Sequence, residues 1–209
     1  MNKKISALLL AGAMMLSLAA CGAKEETPAP APSTPAPEAS AHAGEVAGLT
    51  APIAEAPALV TSGGQSADYQ MIATVMGKVG MDYTVANLCT SADLGNAKTL
   101  IVVVGGSSKG LGAAGIDADG ELARLTELLD GAKAAGLTVI AMHTGGEARR
   151  GELSDKFITP IFEKADYAIV VTSGDEDGLM SGICASKGIP MDGIKSISEV
   201  ATVLPAAFK

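Results

Sequence analysis

The sequence predicts an α/β domain with a three-layer, doubly wound parallel sheet of about five strands. Three observations lead there. Residues 99–106 (TLIVVVGG) and 166–174 (DYAIVVTSG) are apolar and β-branched without polar alternation, as in strands buried on both faces. Segments such as 119–136 (DGELARLTELLDGAKAAG) repeat apolar residues at helical spacing. The two kinds of segment alternate from residue 58 to 208, which implies parallel strands joined by crossover helices. Five strands in one domain favour the flavodoxin-like order 2-1-3-4-5, with a half-Rossmann sheet as the alternative.

The elements follow in order. Residues 58–64 (ALVTSGG) form a first strand that ends in glycines. In 66–80, Met71, Ile72, Val75, Met76 and Val79 share a helical face. Ser66 is suited to cap its start and Gly80 its end. A modest strand lies at 82–88 and a short turn or helix at 90–98. The third strand, 99–106, opens into a loop read as running to residue 117, before the helix of 119–136. The fourth strand is 137–146. A helix at 154–165 contains Pro160, which should bend it. The fifth strand, 166–174, precedes a short helix at 178–188. A final helix begins at 196–208, capped by Ser196 or Ser198.

The ends of the chain carry other information. Asn2-Lys3-Lys4, an apolar run to Leu18 and the pair Ala19-Ala20 have the layout of a secretory signal peptide. Residues 18–21 (LAAC) resemble the lipobox of bacterial lipoproteins. That resemblance implies cleavage before Cys21, acylation of Cys21, and a protein held on the cell membrane facing away from the cytoplasm. Several acyl chains at about 0.8 kcal/mol per CH₂ anchor almost permanently. Residues 21–56, rich in proline, alanine and acids, read as a disordered tether that includes a solvated His42. Residues 57–209 read as a single globular domain. The expected organisation is therefore 1–20, 21–56 and 57–209.

The whole chain is −8. Loss of Lys3 and Lys4 leaves 13 basic residues against 23 acidic ones, a net −10. This balance excludes nucleic acid as a natural partner. Cys89 and Cys184 fall near opposite edges of the expected sheet, beyond disulfide reach. Metal-ligand spacings are lacking, so neither a metal nor a cofactor is expected.

Ligands of such sheets bind beyond the carboxyl ends of the strands. The loops there are 62–68 (SGGQSAD), 105–117 (GGSSKGLGAAGID), 143–155 (HTGGEARRGELSD) and 173–178 (SGDEDG). Glycines and small polar residues are concentrated on this one rim, which points to a binding site. Gly63, Gly64, Gln65 and Ser66 precede a helix and offer backbone N–H groups. Gly106, Ser107, Ser108 and Lys109 form a second wall. His143, Glu147, Arg149 and Arg150 form a third. Lys109, Arg149 and Arg150 favour a small anionic ligand such as a phosphate or carboxylate. The arginines are equally suited to pairing with Glu147, Glu152 and Asp155. His143 reads either as a general base or as a satisfied histidine at a strand end. Asp175, Glu176 and Asp177 fit a helix start. The first reading is thus a lipid-anchored binding protein, with a membrane protein as a further partner. An envelope hydrolase or transferase and a protein-interaction module are the alternatives.

Gly106, Gly110 and Gly112 also fit Gly-x-x-x-Gly-x-Gly, the turn of short-chain dehydrogenases. That turn belongs after a first strand, whereas this one follows the third. The family's Tyr-x-x-x-Lys is missing, because Ala73, Asn87 and Val171 stand four residues after the three tyrosines. A broader resemblance covers 57–68, 102–117 and 143–155. These stretches resemble a family of uncharacterised bacterial exported domains, often found on lipoproteins. The resemblance implies that the loops are the family's hallmark and assigns them no chemistry.

Overall fold

The structure, a computed structural model, describes residues 46–209. The signal peptide, Cys21, His42 and the tether up to residue 45 lie outside the described residues. Six strands form one parallel sheet: β1 (Ala58–Gly63), β2 (Tyr83–Val85), β3 (Thr99–Val104), β4 (Thr138–His143), β5 (Tyr167–Val171) and β6 (Met191–Ile194). Their order is β2-β1-β3-β4-β5-β6. This is the expected flavodoxin-like order with one strand added at the edge. The sixth strand, MDGI, is short and holds an aspartate and a glycine, so its apolar signal is weak.

Six helices cover the sheet: α1 (Asp68–Lys78), α2 (Ser108–Ala114), α3 (Ala118–Ala134), α4 (Glu152–Phe162), α5 (Leu179–Lys187) and α6 (Val200–Ala206). One corrects the sequence reading. Residues 108–114 are helical rather than loop, because the Ser107 hydroxyl accepts from the Gly110 N–H at 3.0 Å and caps a helix the moment β3 ends. Gly115, at φ 71°, stops it in the left-handed region. A helix that starts at Ser108 is in itself no argument against a dinucleotide turn. The place of the loop after the third strand is, and so is the missing Tyr-x-x-x-Lys.

Period-two alternation divides the sheet residues between two cores. Leu100, Val102 and Val104 face Leu125, Leu128, Phe157 and Met180 of α3, α4 and α5. Ile101 and Val103 face Ile72, Met76 and Leu204 of α1 and α6. Cys89 follows β2 and Cys184 lies in α5; both are buried free thiols. Burial pushes the Cys184 thiol up to about 11, so it stays protonated. No helix among the described residues is long and apolar enough to cross a membrane.

The ordered chain begins before Pro57. Residues 46–57 form a strap across the amino ends of the strands. Ala47 O accepts from Met191 N at 3.1 Å, and Leu49 N donates to Asp192 Oδ2 at 3.1 Å. Ile53 O accepts from Thr138 Oγ1, at the start of β4, and Glu55 N donates to Thr99 Oγ1, at the start of β3. The alanine- and proline-rich composition concealed this because the strap is held mainly by its own backbone groups.

Candidate functional site

The carboxyl ends of β1 and β3 mark the topological switch of the sheet, where crevices normally open. Here the two loops are zipped together. Gly105 N donates to Gly63 O at 2.9 Å, Ser66 N to Gly105 O at 3.0 Å, and Ser107 N to Gly64 O at 2.9 Å. Gly106 N donates to Ser154 Oγ of α4 at 2.9 Å. Several N–H groups that the sequence offers to an anion are thus committed inside the protein. The glycines permit the close approach. A Cβ on Gly110 would lie 1.9 Å from the Gln65 carbonyl oxygen, and one on Gly64 would lie 2.7 Å from Gly105 O.

Gln65 sits at φ 63°, left-handed and uncommon for a residue with a side chain. Its side chain is locked. Nε2 donates to Asn87 O at 3.0 Å and to the two Glu121 carboxylate oxygens at 3.1 and 3.2 Å. Glu121, in the first turn of α3, is fully buried. Its carboxylate also accepts from Gly64 N at 2.9 Å and from Arg124 at 2.7 and 2.8 Å. Arg124 donates further to Cys89 O and Ser62 O. This buried ion pair has a partner for each charge and ties α3 to the ends of β1 and β2. Sequence reasoning missed it, because an acid in a first helical turn looks like a solvated residue matched to the helix dipole.

Beside Gln65 a crevice of about 270 Å³ opens between the loops after β1 and β2 and the flank of α2. Gln65, Ser66, Tyr69, Gln70, Asn87 and Leu88 line it, with α2 opposite. Of the residues expected at the site, Gln65 and Ser66 line this crevice, whereas Gly63, Gly64, Gly106 and Ser107 are held in the zipped loops beside it. Ser108 and Lys109 stand exposed on the first turn of α2.

The third wall is built differently. Arg149 reaches back to the start of α1 and donates to Asp68 Oδ2 at 2.9 Å, joining the β4 loop to the β1 loop. Arg150 donates to Asp155, to Asp177 at 2.7 and 2.8 Å, and to Gly174 O at 2.7 Å. The Arg150 guanidinium holds the Asp177 carboxyl down to about 2. Both arginines are therefore matched by carboxylates, while Glu147 is exposed. Asp175 accepts from Met180 N and Ser181 N and caps α5.

His143 is fully buried. Nε2 donates to the Arg149 carbonyl at 3.2 Å, so Nδ1 is the bare acceptor; among the described residues neither it nor the neighbouring Thr144 Oγ1 has a partner. A Cβ on Gly174 would lie 2.8 Å from Nδ1, so Gly174 seals the ring edge. Burial pushes the imidazole below its ordinary value of 6.5, and the Arg150 charge acts the same way. The unfolded chain therefore takes up this proton first. Stability from the neutral ring is fully present above pH 6.5 and is lost as the pH falls below that value. The melting temperature should drop more steeply between about pH 7.5 and pH 5.5 for the native chain than for His143→Gln. Parallel profiles would show that His143 titrates normally.

These features define a class, a single doubly wound α/β domain whose glycine-rich carboxyl-edge loops pack on one another. The chain belongs to the family described as Domain of unknown function (DUF6305), whose model matches residues 55–208. No curated protein matches the sequence. Among solved structures, the chain is similar to the psychrotrophic esterase EstA from Pseudoalteromonas sp., in a structure inhibited by monoethylphosphonate. The identity is 13%, over 66% of this chain and 76% of that one, with a TM-score of 0.30. It is also similar to TesA, at 14% identity over 65% of this chain and 77% of that one, with a TM-score of 0.30.

Proposed function

We propose that the chain is a membrane-tethered binding protein that takes a small polar ligand at the carboxyl edge of its sheet. The crevice beside Gln65 carries this reading. It lies beside the switch point of the sheet, on the β2 side of the zipped loops, and its floor is a glutamine held in a strained conformation by a buried ion pair. Strain retained at a ligand-accessible position is a mark of function. The tether rests on the lipobox at residues 18–21, which would place an acylated Cys21 in the bilayer and the domain outside the cytoplasm. Lys109 makes no ion pair among the described residues, but it stands on the exposed first turn of α2, outside the lining of the crevice. A hydrolase or transferase has less support. His143 is sealed from solvent, and the Ser107 hydroxyl is engaged in capping α2.

Two measurements test the proposal. The native chain should partition into the detergent phase of a cloud-point separation and Cys21→Ser into the aqueous phase; equal partitioning would remove the lipid anchor. Thermal-shift screening against phosphates, nucleotides, carboxylates and sugars should find a class that raises the melting temperature, as any ligand of the native state does. The rise should be lost in Asn87→Ala. A panel without effect would remove the binding site.

A further inference from the structure

We infer that the crevice beside Gln65 takes a neutral, hydroxyl-rich ring of monosaccharide size; this rests on reading that crevice as a binding site. Among the described residues, its lining contains no charged side chain. The nearest arginines are used, Arg124 on Glu121 and two carbonyls, and Arg149 on Asp68. An anion placed there would lose its hydration without a matching cation.

The lining is polar in another way. Asn87 and Gln70 each carry a carboxamide; Asn87 Nδ2 donates to Gln65 Oε1 at 3.4 Å and Gln70 Nε2 to the Tyr69 hydroxyl, and each NH₂ keeps a second N–H beside an accepting oxygen. The Tyr69 hydroxyl, which accepts from Gln70 Nε2 at 3.1 Å, adds a group able to do both. Adjacent hydroxyls on a ring need this mixture, because each also donates and accepts. Leu88 lines the same crevice and is 39% exposed, a large apolar side chain left in solvent on a polar rim. Together with Ala113 it gives the C–H face of a ring an apolar surface. Gln65 is already fixed by Glu121 and by Asn87 O, so the floor loses no rotamer freedom when a ligand arrives.

The test is amide chemical-shift titration of the isotope-labelled full chain. The probes are glucose and N-acetylglucosamine, glucuronate and glucose 6-phosphate, and inorganic phosphate. The expected result is saturable shifts with a neutral sugar, confined to residues 65–70, 87–88 and 110–114. Gln70→Ala, which alters an exposed side chain, and Asn87→Ala should each weaken binding about fivefold to tenfold. Shifts at the same residues with phosphate or the charged sugars alone would overturn the neutral ligand and leave the binding site standing. Silence with every probe, or shifts elsewhere, would overturn both.

Discussion

Replacing Glu121 by alanine is expected to destabilise the domain by about 3–5 kcal/mol, the cost of leaving one half of a buried ion pair alone. The arginine left behind is itself mostly buried, with 9% of its side chain exposed. Gly64 N and Gln65 Nε2 lose their carboxylate in the same step. Gln65 then has less to hold it at φ 63°. In urea, the midpoint should fall with the slope unchanged. Arg124→Ala should cost a similar amount, because it strands the carboxylate. The double variant should cost clearly less than the two singles added together. A Glu121→Ala variant within about 1 kcal/mol of the native chain would show that the network is not structural.

The second large effect separates two glycines of one motif. Gly110→Ala is expected to cost about 1–3 kcal/mol, as overpacking does. Its Cβ would meet the Gln65 carbonyl at 1.9 Å, and backbone cannot swing aside as a side chain would. Helix α2 has to lift from the β1 loop, which also reshapes the crevice. Gly112→Ala, two residues on, meets nothing within 4 Å among the described residues. It should be neutral or stabilising by up to about 1 kcal/mol, because alanine favours the helix. Melting temperatures of the two variants decide the matter. Equal effects would mean that the close approach of α2 to the Gln65 carbonyl does not constrain residue 110.

The contrast explains what was legible. Strands β3, β4 and β5 were plain in the sequence because burial on both faces leaves an unbroken apolar run. Strand β6 was not, because an edge strand with Asp192 and Gly193 has no such run. The rim loops were visible through their glycines. Sequence does not tell glycine that admits a phosphate from glycine that admits a neighbouring backbone, and Gly64 and Gly110 are the second kind. The pairing of Arg150 with nearby Asp155 was among the expected ones, but those of Arg149 with Asp68 and of Arg150 with Asp177 join residues distant in sequence. Gln65 stood out only as the residue after two glycines. Its partners Asn87 and Glu121 come from different elements, so no local pattern announces them.

The strap has a mechanical consequence. Any force reaching residue 46 from the N-terminal side acts first at the outer strand, where Ala47 and Leu49 hold Met191 and Asp192. Its hydrogen bonds lie one after another along the amino edge, so a pull peels them in sequence instead of shearing them at once. The crevice is at the opposite edge, beyond the full length of the strands. Tension on the chain would therefore unzip its entry segment well before it reached Gln65.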